Sequence, residues 1–172
     1  MMILRPASLD DVTALAALGR DSFLAAFEHL YKPSDLAAFL EQAYSLEGVG
    51  GDLAHPNLVY RLAEDAEGLA GYCKIAKRSA YAEHSDAVRP MALNQLYTAP
   101  GRTGQGIGAA LMDWALAEAR ELGADAMQLS VYSENYGAQR FYQRYGFTKI
   151  ADIGFWVGEQ RDAEFLYELR LD

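Results

Sequence analysis

The amino-acid sequence predicts an α+β (α/β three-layer) fold, with helices packed on a mixed sheet. Three observations predict it. The periodicity reads in order as strand, helices, three strands, helix, strand, helix and two strands, about seven strands in all. Met127, Leu129 and Val131 alternate with Gln128, Ser130 and Tyr132, a strand period of two lying between two segments of helical period. The 172 residues carry no internal repeat, low-complexity tract or Pro/Gly/Ser linker, so one domain over residues 1–172 is expected.

Residues 2–5 read as a short first strand. Ser8 is placed to cap a helix whose first turn holds Asp10 and Asp11, where negative charge suits the helix dipole, and the helix runs to about Leu30. Phe23 and Phe27, four apart, share one of its faces. Pro33 opens a second helix, because proline fits a first turn, and that helix runs through Ala43 or Ser45. Residues 46–56 are glycine-rich and ambiguous. Strands at 58–63 and 69–76 flank the turn Asp65-Ala66-Glu67-Gly68. A strand at 91–98 leads through a glycine-rich loop into a helix over 106–122, closed by Gly123 in the left-handed position that ends helices. A short helix covers 136–145, closed by Gly146, and two strands near 147–157 and 164–171 flank a polar turn.

Hydrophobic residues make up 51% and charged residues 23%, a composition that excludes a disordered chain. The net charge of −9 repels nucleic acid and anionic membrane and attracts cations, so neither polyanion is an expected partner. Cys73 is the sole cysteine, which excludes an internal disulfide and a multi-cysteine metal site and predicts a buried, inert thiol. His29, His55 and His84 lie far apart in sequence, none in a zinc-type pair, and no metal is expected. Pro6 and Asp10 interrupt any apolar leader, and no stretch approaches the roughly 18 apolar residues of a membrane span, so a cytoplasmic address is expected.

The segment Ala99-Pro100-Gly101-Arg102-Thr103-Gly104-Gln105-Gly106-Ile107-Gly108-Ala109 joins strand to helix. The first amides of a helix lack intrahelical partners and point outward, and glycines let an anion approach the backbone. The helix dipole adds roughly 0.3–1 kcal/mol for a well-placed negative group, which suits a diphosphate. A P-loop would need Lys followed by Ser or Thr after its second glycine, and Gly106 is followed by Ile107. Gly104-x-Gly106-x-x-Ala109 fits a dinucleotide fingerprint locally, but such a fold continues through further strand–helix units, whereas this chain ends in paired strands. A tight strand-to-helix turn with no ligand is the other alternative.

A second segment runs Asn135-Tyr136-Gly137-Ala138-Gln139-Arg140-Phe141-Tyr142-Gln143-Arg144-Tyr145-Gly146-Phe147. Asn135 and Tyr142 are two helical turns apart and share a face, with Ala138 between them leaving a shallow groove for a thin chain. Phe141 points off that face, toward the core. Taken alone, Tyr142 also reads as a packed aromatic near a helix end. Together the two segments resemble the GNAT superfamily of acetyl-coenzyme A (acetyl-CoA)-dependent N-acetyltransferases. Gly106 and Gly108 hold the last two fixed positions of its cofactor motif Gln/Arg-x-x-Gly-x-Gly/Ala, while Thr103 stands at the first and Arg102 one residue earlier. The signature Asn-x-x-Ala-x-x-Phe-Tyr-x-x-x-Gly-Phe is matched at every fixed position. A looser pattern over 21–45 and Pro56-Asn57 resembles the bacterial polyamine (spermidine/spermine) acetyltransferase branch.

The resemblance implies a mostly antiparallel sheet with helices on both faces and two parallel neighbours, ending at Thr98 and Tyr132, that splay apart. It implies transfer of acetyl from acetyl-CoA to a primary amine by direct attack through a tetrahedral intermediate, with a polyamine as lead substrate. The cofactor would lie against Leu96, Tyr97, Thr98, Arg102, Thr103, Gly104, Gln105, Gly106, Ile107, Gly108, Ala109, Asn135, Ala138 and Tyr142. Tyr142 would be the general acid, and the amide of Leu96 or a neighbour would polarise the thioester carbonyl. A glutamate common in relatives falls on or near Asn94, which cannot take a proton, leaving Glu28, His29, Glu83, His84 or a water chain as base. Phe27, Glu28 and Tyr31 are candidates for the acceptor pocket, since aromatic faces with nearby acids suit an alkylammonium. A homodimer is expected on the same analogy. Two alternatives stay open: a non-catalytic acyl-CoA-binding sensor or assembly subunit, and a nicotinamide-dependent dehydrogenase.

Overall fold

Alternation along the strands decides which residues face which layer. A computed structural model describing residues 1–172 shows this on β2 (Leu58–Asp65) and β3 (Gly68–Ala76). Tyr60, Leu62 and Tyr72 enter one core cluster, and Ala63, Cys73 and Ile75 enter another on the opposite face. The first face carries α1 (Val12–Phe27), α2 (Pro33–Tyr44) and α3 (Leu46–Ala54). The second carries α4 (Ile107–Glu121) and α5 (Tyr136–Arg144), joined where the Tyr145 hydroxyl donates to the Ala109 carbonyl at 3.2 Å. Cys73 is fully buried, and burial pushes its thiol up to about 12, which makes it inert.

The sheet has seven strands in the order β1-β2-β3-β4-β5-β7-β6. The remaining strands are β1 (Ile3–Pro6), β4 (Pro90–Thr98), β5 (Ala126–Tyr132), β6 (Thr148–Val157) and β7 (Gln160–Arg170). Every neighbouring pair is antiparallel except β4 and β5. The mixed three-layer fold is therefore as expected, and the antiparallel β6–β7 end removes the further strand–helix units that a dinucleotide-binding dehydrogenase would need.

One local expectation needs correction, and one ambiguous stretch is resolved. The first helix ends at Phe27, not Leu30, and Glu28–Leu30 form a separate 3-10 turn. The ambiguous 46–56 stretch is largely α3. Its glycines lower intrinsic propensity, but the Ser45 hydroxyl accepts from the Gly48 amide at 3.0 Å and Val49 is buried against the α1 face, so capping and packing override propensity. At the other end of α1, Arg5 donates to Asp11 at 2.8 and 2.9 Å and to Glu64 at 2.8 Å, tying β1, the helix start and β2 together.

The feature that positions the site is where β4 and β5 part. They pair only at Pro90–Ala126, Met91–Met127 and Ala92–Gln128. Just beyond, Asn94 is an extra residue in β4, since Leu93 opposes Ile75 while Gln95 opposes Lys74. Such a bulge bends its strand. From there β4 follows β3, while β5 stays paired with β7 along its whole length, from Ala126–Arg170 to Tyr132–Glu164. A wedge opens between the two parallel strands.

Gly71 sets how closely β3 approaches the end of β4. A Cβ there would lie 2.6 Å from the Tyr97 carbonyl oxygen and 2.9 Å from Ile107 Cγ2. Gly71→Ala is expected to lower stability by about 1–3 kcal/mol, as overpacking does, measured as a lower urea midpoint. An unchanged midpoint would show that this contact does not set the spacing.

Candidate active site

Two cavities meet in the wedge. A groove of about 730 Å³ runs along the loop before α4, and a smaller cavity of about 270 Å³ lies between β4, β5, β7 and the end of α1. They share Ala26, Leu96, Tyr97, Ala138 and Tyr142 as walls.

The groove is built for an anion. Gly104 and Gly106 have φ of +79° and +78°, the left-handed region that favours glycine, and Gly106 caps α4 without a side-chain acceptor. Ile107 is buried in the core and fixes the helix start. The amides from Thr103 to Ala109 consequently find no acceptor within the chain. Thr98, Thr103, Gly104, Gly106, Ile107, Gly108 and Ala109 all line this groove. Small residues of α1, Ser22, Ala25 and Ala26, form the facing wall, and the buried Ser22 hydroxyl has no partner. Arg144 is the one basic residue lining it. The sequence singled out neither Ser22 nor Arg144.

Arg102 and Gln105 line neither cavity. The Arg102 guanidinium is bonded to Asp65, holds Gln105 Oε1 at 3.1 Å and lies 3.8 Å from Glu67, so it braces the loop on the β2–β3 turn rather than facing the groove. Its hydrogen bond, with that of the Glu67 amide, holds the Asp65 carboxyl below the usual carboxylate range. Phe141 also departs from expectation: it packs on the edge of the core but lines the groove, with Gly108 beside its ring.

On α5, Asn135 Oδ1 accepts from the Ala138 amide at 3.2 Å and so caps the helix, while the residue lines the smaller cavity. Ala138 and Tyr142 lie between the two cavities. The Tyr142 hydroxyl makes no hydrogen bond within the protein, and burial, with Tyr97 and Glu164 nearby, pushes it well above the usual phenol range. It is a protonated phenol at the junction, free to donate.

The smaller cavity is aromatic and acidic. Phe27 and Tyr31 are among its walls, with Phe27 edge-on to Tyr132 at 6.3 Å. Phe23 also lines it, 4% exposed and packed against Phe39. The Tyr31 hydroxyl donates to Asp162 on β7, which ties the 3-10 turn to the sheet. No Lys, Arg or His lines the cavity, and Glu164 is its one carboxylate. Ser130 donates to Glu164, yet burial, helped by Asp162, pushes the carboxyl up to about 7.

Glu28, His29, Glu83 and His84 line neither cavity, so the structure gathers none of the sequence's base candidates at the site. Asn94 does line the smaller cavity. Glu164 escaped sequence reasoning, although a signal existed. Asp162, Glu164, Leu166 and Glu168 fall on one face of β7, and acids in register with a fully buried leucine mark a polar interior.

Comparison with known proteins agrees with this geometry. Residues 20–147 match the model of the acetyltransferase (GNAT) family. An uncharacterized N-acetyltransferase of Lactobacillus delbrueckii subsp. lactis is 29% identical over 94% of this chain and 92% of its own length. The aminoalkylphosphonate N-acetyltransferase of Salmonella typhimurium is 31% identical over 60% of this chain and 65% of its own. Among solved structures, the PaiA N-acetyltransferase of Thermoplasma acidophilum in complex with coenzyme A superposes with a TM-score of 0.81, covering 99% of both chains at 19% identity.

Between about pH 4.5 and 7 the folded chain keeps the Glu164 proton that the unfolded chain has lost, so this group subtracts stability as pH rises through that window. Glu164→Gln is therefore expected to raise Tm more at pH 8 than at pH 5, followed by thermal unfolding. An equal effect at both values would mean that Glu164 titrates normally.

Proposed function

The chain belongs to the acetyltransferase (GNAT) family, and from that premise we propose that it transfers the acetyl group of acetyl-CoA to a primary alkylamine. The carrying observation is Tyr142, a protonated phenol without an internal partner where an anion-binding groove meets an acidic aromatic cavity.

The residues present fit coenzyme A. The free amides from Thr103 to Ala109 suit its diphosphate, with Arg144 adding charge and Ser22 an unused hydroxyl. Its extended arm suits the edge of β4 that β5 has left, near Leu96, Tyr97 and Thr98, where strand backbone offers donors and acceptors. Bound there, the cofactor supplies an acyl group activated as a thioester. Tyr142 holds a proton at its hydroxyl where a departing thiolate, with an ordinary pKa near ~8.5, gains from one. A backbone amide near Leu96 is the donor proposed for the carbonyl oxygen.

The acceptor is read from the smaller cavity. Its aromatic walls, its one carboxylate and its lack of basic residues favour a cation and disfavour an anionic substrate. The Salmonella relative is named for an aminoalkylphosphonate, but a phosphonate would meet no cationic side chain in this cavity. Spermidine and spermine lead the candidates. The Tyr132 hydroxyl on the cavity wall donates to Glu134 at 2.7 Å, which sets a second carboxylate beside that wall for a second ammonium.

Thiol release from acetyl-CoA across a panel of alkylamines, spermidine, spermine and aminoalkylphosphonates tests this reading. Spermidine and spermine are expected to be turned over, and silence with both retires the polyamine assignment. Tyr142→Phe is expected to lower kcat at least ~10-fold, the low end for a positioned acid, with acetyl-CoA affinity by calorimetry unchanged. Turnover equal to the wild type would take Tyr142 out of the reaction.

A further inference from the structure

Removal of the acceptor's proton is the chemical demand that the sequence left without an owner. An alkylammonium has a pKa near ~10.4, so only about one molecule in a few thousand is neutral at pH 7. Attack requires the neutral form.

We propose that Glu164 receives the ammonium group of the acceptor and takes its proton. The proposal rests on the acetyltransferase reading above and adds a residue to it. Glu164 extends from β7 into the same cavity that Tyr142 walls from α5, so acid and base would approach the reacting atoms from different elements. Ser130 donates to Oε1 of the carboxylate, and Oε2 has no partner within the chain. The side chain is thus oriented by one oxygen and open at the other. No Lys, Arg or His in the cavity competes for it, and the rings of Phe27, Tyr31 and Tyr132 offer faces to an alkylammonium.

The surroundings single out this carboxyl as the group that titrates near neutrality. Tyr31, Tyr81, Tyr97 and Tyr142, from the 3-10 turn, the loop before β4, β4 and α5, are all pushed upward by burial. Tyr132 on β5 is pushed up by its hydrogen bond to Glu134. These phenols stay neutral. Asp162, two residues along β7 and bonded by Tyr31 and Gln160, adds a like charge. Transfer from an ammonium to a carboxylate near 7 is uphill by about three to four pH units, against about six for a solvated glutamate. In the step itself an N–H bond of the ammonium breaks and an O–H bond forms on Glu164, giving a neutral amine and a neutral carboxylic acid. Water takes that proton after the product leaves.

The test compares the full-length wild type with Glu164→Gln, measuring kcat/KM for the best amine of the panel from pH 5.5 to 9.5. The wild-type profile should rise and level off near pH 7. Glu164→Gln should lose at least 100-fold at pH 7, and its residual rate should climb with unit slope toward the amine's own pKa. Acetyl-CoA binding by calorimetry should be kept, which separates lost proton transfer from a damaged fold. A variant within threefold of the wild type, with the plateau intact, overturns the role of Glu164 while leaving acetyl transfer standing. A wild type that turns over no amine in the panel overturns the acetyltransferase reading itself, and this role with it.

Discussion

The parting of β4 from β5 after three paired residues is the constraint on which the rest depends. Parallel strands hold together only while both find partners in register. Here β4 carries an extra residue at Asn94 and stays with β3, while β5 is paired with β7 over its full length. The two halves of one sheet therefore diverge without breaking it. Below the divergence, Gln128 donates to Glu168 at 2.8 Å and takes a hydrogen bond from Ser79, a buried polar clasp at the last paired level. Above it, unpaired strand edges, the mouth of α4 and the face of α5 surround one space.

That space has two electrostatic characters within a few residues of each other. On the α4 side, backbone amides without acceptors make a site for negative charge that needs few charged side chains. On the β7 side, a carboxylate among aromatic rings with no cation makes a site for positive charge. Tyr142 lies where they meet. A site for an anionic acyl carrier and the cationic acceptor proposed above would need this division, because one uniform field would repel one of the two. Because the chain's overall charge is −9, an anionic carrier would have to be held by local donors rather than by long-range attraction.

Elsewhere the polar groups are well matched. Arg5 is bound by two carboxylates, Arg102 by the β2–β3 turn, and Asp125 accepts from the amides of Val88 and Arg89. Apart from the buried Arg61 Nε on β2, the under-satisfied groups gather in the wedge: the amide row, the Ser22 and Tyr142 hydroxyls, and one oxygen of Glu164. Groups left without partners in a folded chain cost stability, so their concentration at one place marks it as the candidate site.

Much of this was legible in the linear chain wherever the physics is local. The glycine loop could be read because left-handed backbone and free helix amides follow from residue type and order. The pairing of Asn135, Ala138 and Tyr142 on one face follows from helical period alone, and the strand count follows from alternation. The rest depended on which segments meet. That α3 would form despite its glycines was decided by Ser45 and by packing against α1. That Arg102 would brace a turn was decided by Asp65, far away in sequence. Above all, β7 inserts between β5 and β6, and only that strand order brings Glu164 opposite Tyr132 and into the wedge. A short-range pattern carries its own geometry, whereas the partner of a strand edge is chosen by the whole sheet.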